Sequence, residues 1–263
     1  MNIFGILMLP INAVSVFRQL ASMEKYRKSI DKLRETATPA EVRKYIGTQN
    51  SALIKQIVSD FNLNIEVIGR DKVPQDKGCV FISNHQGYLD VVAILFALDD
   101  KQAGFIAKEE IRKVPFLGKW IESVGGFFIE RGNPRSSLRI FKECWKKLKS
   151  GDSMVIFPEG TRSKGPSMGE YKQAAFKLAT SGHTGAPIVP IIVDSTYLYY
   201  EKPGYLKTNV AVPITVEFLD PIYIDGLTKD EIKELPDRII DMSRQALAAI
   251  QEKKCICENA QSR

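Results

Sequence analysis

Cys79-Val80-Phe81-Ile82-Ser83-Asn84-His85-Gln86-Gly87-Tyr88-Leu89-Asp90 passes from an apolar run into a polar turn, and the chain then enters the apolar, helix-like stretch that ends at Leu98. A run this apolar, with no polar alternation, marks a central strand buried on both faces. Ser153-Met154-Val155-Ile156-Phe157 repeats the pattern and leads directly into a second polar stretch, Pro158 to Ser163. Further β-rich runs lie at 64–70, 103–108, 127–130, 187–193 and 209–218, with helical segments between several of them. The alternation predicts an α/β fold, a mostly parallel sheet flanked by helices. In such sheets ligands bind beyond the carboxyl ends of the strands, so the two polar stretches are expected to line one cleft.

Working outward, residues from about Met23 to Leu63 read as two helices. The second opens at Thr38-Pro39-Ala40-Glu41, where Thr can cap, Pro suits the first helical position and Glu can close a capping box. A last helix runs from about Thr228 to Lys253 and starts with another Thr-x-x-Glu signature. The chain therefore divides into an N-terminal helical region, 1–62, and an α/β domain, 63–263.

The length of 263 residues suits one such domain with its appendage, and is short for two full catalytic domains. Lys and Arg number 37 against 31 Asp and Glu, a net charge of +6 that biases the surface toward anionic lipid, an acidic carrier protein or nucleic acid without choosing among them. Cys79, Cys144, Cys255 and Cys257 form no Cys-x-x-Cys pair, so they read as free thiols of a reducing compartment, and with two histidines scattered along the chain they do not compose a metal site. The first 17 residues carry no charged side chain and are followed by Arg18, Lys25, Arg27 and Lys28 with only Glu24 to oppose them. No basic region precedes the apolar stretch, which argues against a secretory signal. Pro10 divides a run already short for the ~20 residues that span a bilayer. An embedded, non-spanning anchor fits this end, and a buried N-terminal helix is the alternative.

Three polar elements carry chemistry. His85 lies at a strand-to-helix turn and Asp90 on the first turns of the following helix, so a tight turn through Gly87 can bring the carboxylate back to the imidazole. A carboxylate in that position fixes the tautomer and stabilises imidazolium, leaving the far nitrogen to take a proton from a hydroxyl nucleophile. In Phe157-Pro158-Glu159-Gly160-Thr161-Arg162-Ser163, Arg162 can grip a phosphate bidentately, Gly160 permits close backbone approach and Thr161 adds a hydroxyl. Glu159 can orient the arginine or hold an acceptor hydroxyl. Gly125-Gly126-Phe127-Phe128-Ile129-Glu130-Arg131-Gly132 places Arg131 at the same sheet edge as a second clamp. Ala186-Pro187-Ile188-Val189-Pro190 offers no reactive group and reads as core or as a wall for an apolar chain.

Taken in order and spacing, NHQGYLD, GGFFIERG, FPEGTRS and APIVP resemble the four motifs of the glycerolipid acyltransferase superfamily, and within it the 1-acyl-sn-glycerol-3-phosphate acyltransferases. The resemblance implies that His85 is the general base, that Asp90 supports it, and that Arg131 and Arg162 bind the acceptor phosphate, with Glu159, Gly160 and Thr161 as acceptor-site residues. It also assigns Lys108, in FIAKEE, to the position of a lysine common between the first two motifs. The implied reaction moves a fatty acyl group from acyl-CoA or acyl-carrier protein to the sn-2 hydroxyl of 1-acyl-sn-glycerol 3-phosphate. It calls for no cofactor, metal or nucleic acid. The implied setting is the phospholipid surface on the cytoplasmic face of a membrane, with the N-terminal helices as a peripheral or monotopic anchor.

The same base and clamps would serve an enzyme acting on glycerol 3-phosphate or on another lysophospholipid. A non-catalytic lipid-binding protein is the rival from another class. Gly165-Pro166-Ser167-Met168-Gly169 matches the letters of a hydrolase elbow, but no strand runs into it and proline before the serine suits a loop. His183, the other histidine, has no acidic neighbour within six positions and reads as a surface-loop residue.

Overall fold

The computed structural model describes residues 13–130, 134–199 and 212–261. Within them β1 is Ile65–Ile68, β2 Val80–Ser83, β3 Gly104–Lys108, β4 Phe127–Ile129, β5 Met154–Ile156, β6 Ile188–Asp194 and β7 Ile214–Phe218. The helices are α1 Ala13–Leu33, α2 Pro39–Asp60, α3 Asp90–Leu98, α4 Leu117–Ser123, α5 Pro134–Lys149, α6 Gln173–Thr180, α7 Thr196–Tyr199 and α8 Lys229–Gln261.

The strands form one sheet in the order β1-β7-β6-β2-β5-β3-β4, in which every neighbouring pair is parallel except β6 and β7. The two apolar runs that announced central strands are central: β2 sits between β6 and β5, and all residues of β2, β5 and β6 are buried. Side chains alternate between two cores. Phe81, Val155, Val189 and Val193 face the layer of α1, α2 and α3, where Ile30, Ile46, Leu53, Ala93 and Ile94 meet them. Val80, Ile82, Met154 and Ile188 face the other layer, against Ile140 and Cys144 of α5, Phe176 and Leu178 of α6 and Leu235 and Ile239 of α8. Cys79 and Cys144 are buried free thiols whose desolvation pushes them up to about 11 and about 12.

The capping box at Thr38 forms as the sequence predicts: Thr38 N donates to Glu41 Oε2 at 2.8 Å, and Glu41 N donates to Thr38 Oγ1 at 3.3 Å. A second box at Thr228 and Glu231 opens α8. Two boundaries differ from expectation. Helix α1 begins at Ala13, about ten residues before the expected start, because the chain from Ala13 to Ser22 contains neither proline nor glycine to stop it. Helix α8 continues to Gln261, since Cys255 to Gln261 likewise holds no breaker. The apolar N-terminal end proposed as an anchor falls largely within residues 1–12, outside the described residues.

The helical pair α1 and α2 shares the core cluster of the sheet. Gly47 of α2 lies so near the turn after α3 that a Cβ there would sit 1.7 Å from the Asp100 carbonyl oxygen, which explains glycine at mid-helix. Because β1 and β7 run against β6, they start at the edge where β2 to β6 end. Helix α2 feeds β1 and therefore ends at that edge. Arg18, near the start of α1, meets Asp60 there at 2.5 Å.

Candidate functional site

The site lies at the carboxyl edge of the sheet. Asn84 terminates β2 by standing in for a strand backbone: its Nδ2 donates to Val193 O and its Oδ1 accepts from Val193 N, both at 2.8 Å. His85 follows, and the chain turns sharply enough for Asp90, the first residue of α3, to face back. His85 Nδ1 donates to Asp90 Oδ2 at 2.5 Å, and the same oxygen accepts Gly87 N–H at 3.0 Å. The carboxylate is fully buried, and its other oxygen accepts the Thr196 hydroxyl. A carboxylate at a helix N-terminus is also favoured by the helix dipole. Among the described residues His85 Nε2 has no hydrogen-bond partner, and the side chain keeps 19% of its surface exposed. The imidazole ring stacks on Phe157, centroids 4.2 Å apart and planes 21° apart, and Phe105 continues that stack behind Phe157.

The stretch after β5 clamps the His85 turn. Ser163 N donates to His85 O at 2.8 Å and Lys164 N to Gln86 O at 3.2 Å. The Arg162 guanidinium lies over the Tyr88 ring, 3.5 Å from its centroid, so the cation sits against the turn that carries the imidazole. Gly160 adopts φ +66°, a left-handed conformation that favours glycine. Thr161 is exposed at this edge. Lys108 ends β3, one strand beyond β5, and is exposed. Arg131 lies outside the described residues. The strand leading to it ends at Ile129, paired with Lys108 at the same edge.

Glu159, expected to orient the arginine or hold an acceptor hydroxyl, turns inward beneath the His85 turn. Its carboxyl is buried, 3% exposed, and Oε1 accepts the His85 backbone N–H at 2.9 Å. Burial pushes this carboxyl up to about 7, opposed by the N–H groups of His85 and Gly169 and reinforced by Asp90. Glu159 is thus a support beneath the His85 turn, a position that the motif does not spell because burial is decided by the neighbouring strand.

A carboxyl that titrates higher folded than unfolded contributes its stability below the unfolded value of 4.5, and that contribution is lost as pH rises through about 7. Glu159→Gln removes the titration. Whatever constant offset the amide introduces, the stability of the variant relative to wild type should rise between pH 4.5 and 7.5, by up to about 3 kcal/mol. Urea unfolding across a pH series measures it, and a pH-independent difference contradicts the assignment.

The other sequence candidates resolve plainly. Ser167 sits on an exposed loop well after the end of β5, so no strand presents it as a nucleophile. His183 is exposed, on the turn that precedes β6, at the opposite edge from His85. Ile188 and Val189 are core, with no exposed surface. Phe157 and Tyr88 were legible as motif letters but not as ring partners. Thr196 gave no signal, because it reaches Asp90 across 106 positions of sequence.

A sequence profile described as Acyltransferase matches residues 64–194. A chloroplastic 1-acyl-sn-glycerol-3-phosphate acyltransferase of Brassica napus is 36% identical over 132 residues, 50% of this chain and 37% of that one. The 1-acyl-sn-glycerol-3-phosphate acyltransferase of Limnanthes alba is 31% identical over 193 residues, covering 73% of this chain and 66% of its own. That of Haemophilus influenzae is 27% identical over 197 residues, covering 73% and 78%. The chain thus matches only 37% of the length of the chloroplastic relatives. In fold, the chain resembles the crystal structure of the 1-acyl-sn-glycerophosphate (LPA) acyltransferase from Thermotoga maritima, with a TM-score of 0.69 and 24% identity over 89% of this chain and 97% of that one.

Proposed function

The chain belongs to the acyltransferase family that includes the 1-acyl-sn-glycerol-3-phosphate acyltransferases, and from that premise we propose that it acylates the sn-2 hydroxyl of 1-acyl-sn-glycerol 3-phosphate, giving phosphatidic acid. The observation that carries the proposal is an imidazole with one nitrogen fixed on a buried carboxylate and the other without a partner among the described residues, beside a guanidinium packed on the same turn. Arg162 and Lys108, which ends β3, hold the acceptor phosphate together with Arg131. His85 Nε2 then takes the proton of the hydroxyl as its oxygen bonds to the thioester carbonyl carbon. The resulting tetrahedral oxyanion collapses, the C–S bond breaks, and His85 returns the proton to the leaving thiolate. Either acyl-CoA or acyl-carrier protein supplies that thioester.

Among the described residues no helix is long and apolar enough to cross a membrane. The start of α1 and the site share one edge of the sheet, which supports attachment of that edge to a membrane surface. We propose a peripheral or monotopic enzyme, on the cytoplasmic face of that membrane.

Purified protein incubated with labelled acyl-CoA or acyl-carrier protein and a panel of acceptors tests the reading: lysophosphatidate should be acylated in preference to glycerol 3-phosphate and to other lysophospholipids. Arg162→Ala should raise KM for lysophosphatidate about ten- to a hundredfold, the scale of a lost charge-assisted hydrogen bond, while leaving KM for monoacylglycerol unchanged. Equal loss on both acceptors overturns the phosphate role of Arg162. Release of the acyl group to water alone overturns the transferase reading.

A further inference from the structure

Thr196 follows Asp194-Ser195 at the end of β6 and opens the short helix α7. Its side chain is fully buried and its hydroxyl donates to Asp90 Oδ1. The other oxygen of that carboxylate already receives His85 Nδ1–H and Gly87 N–H. The carboxylate is therefore held on both sides, and the Thr196 bond fixes which oxygen remains for the imidazole. The contact is close: a Cβ on Gly87 would lie 3.0 Å from Thr196 Oγ1 and 3.2 Å from the Thr196 carbonyl oxygen, which gives glycine at that position of the turn a packing reason.

The backbone that presents Thr196 is itself braced. Ser195 adopts φ +74°, a conformation costly for a residue with a side chain unless its surroundings impose it. Lys254 of α8 braces this segment, donating to Asp194 Oδ2 at 2.7 Å, Ser195 Oγ at 2.9 Å and Pro213 O at 3.0 Å. Ser195 Oγ in turn donates to Asp194 Oδ2 at 2.7 Å. Gln251, one turn earlier in α8, donates to Asp194 Oδ1 at 3.2 Å and to Pro166 O at 2.8 Å. A line of polar contacts thus runs from the last helix, through the end of β6, to the carboxylate behind the imidazole.

We propose that Thr196 is a positioning residue of the site, whose hydroxyl holds Asp90 so that one carboxylate oxygen stays on His85 Nδ1. The proposal rests on the reading of His85 as general base. Loss of the hydroxyl leaves a buried carboxylate oxygen without its donor, which both frees the carboxylate to rotate and makes it hold imidazolium more tightly. Two effects follow, a lower kcat and an acid limb of the pH–rate profile displaced to higher pH.

Thr196→Ala removes methyl and hydroxyl together, Thr196→Ser removes the methyl alone, and Thr196→Val removes the hydroxyl while keeping the shape. We expect kcat to fall about ten- to a hundredfold in the Ala and Val variants, with KM for both substrates within a fewfold of wild type. Their acid limb should move up by roughly half a pH unit or more. The Ser variant should recover most of the rate and the wild-type profile. Should the Val variant not fold, the Ala and Ser pair still separates the hydroxyl from the methyl. A Ser variant as impaired as Ala overturns the proposal in favour of packing, and Ala with wild-type kcat and pH profile overturns it outright. NMR titration of the His85 ring in full-length Ala and Ser variants reads the same contact without turnover. If the wild type transfers no acyl group while that titration still separates Ala from Ser, the acyltransferase reading has failed and the positioning contact stands. Indistinguishable titrations overturn the contact.

Discussion

Replacing His85 with alanine should leave a folded protein whose acyl transfer falls about a hundred- to ten-thousandfold, the range that a positioned general base supplies. The fold should survive because the side chain is partly exposed and its backbone bonds, to Glu159 and Ser163, do not involve the imidazole. What the substitution removes is the stack on Phe157 and the donor to Asp90 Oδ2, whose oxygen still keeps Gly87 N–H. The check is labelled acyl transfer to lysophosphatidate alongside thermal unfolding. A collapse of the melting temperature would mean that His85 is structural, and an unchanged rate would remove it from the chemistry. Added imidazole should restore part of the lost rate if the deficit is proton transfer.

Asp90→Asn is the second large effect, and its geometry can be worked out in advance. Gly87 N–H can only donate, so the amide oxygen must occupy the place of Oδ2, and the amide NH2 turns toward Thr196, whose hydroxyl can rotate to accept. In that arrangement the oxygen still accepts His85 Nδ1–H. The tautomer is kept and only the negative charge is lost. Imidazolium then forms beside a neutral group in a buried setting, and kcat should drop about a hundred- to ten-thousandfold while KM for both substrates stays within a fewfold. An equal loss in binding and rate would show instead that Asp90 organises the whole edge. The double variant with His85→Ala should be hardly slower than His85→Ala alone, since the carboxylate acts through the imidazole.

How much of this was legible follows from which forces act locally. The unbroken apolar runs at 79–83 and 153–157 specify central strands because burial on both faces admits no polar alternation, and β2 and β5 are adjacent and buried. The Thr38 and Thr228 capping boxes could be read from residues three apart, since both partners lie on one turn. The early start of α1 and the long tail of α8 were hidden for the complementary reason: no stop signal is present there, so only packing decides where the helices end.

The sequence by itself determined the His85–Asp90 pair, because a strand, a glycine turn and a helix starting at Asp90 leave the carboxylate only one short way back to His85. The tertiary structure alone decided the environment of that pair. Sheet order sets β5 beside β2, which turns Glu159 inward as a prop and lays Phe157 on the imidazole, and sets β6 on the other flank, which delivers Thr196 to the far side of Asp90. Those contacts join residues 74 and 106 positions apart, and no local propensity encodes which strands become neighbours.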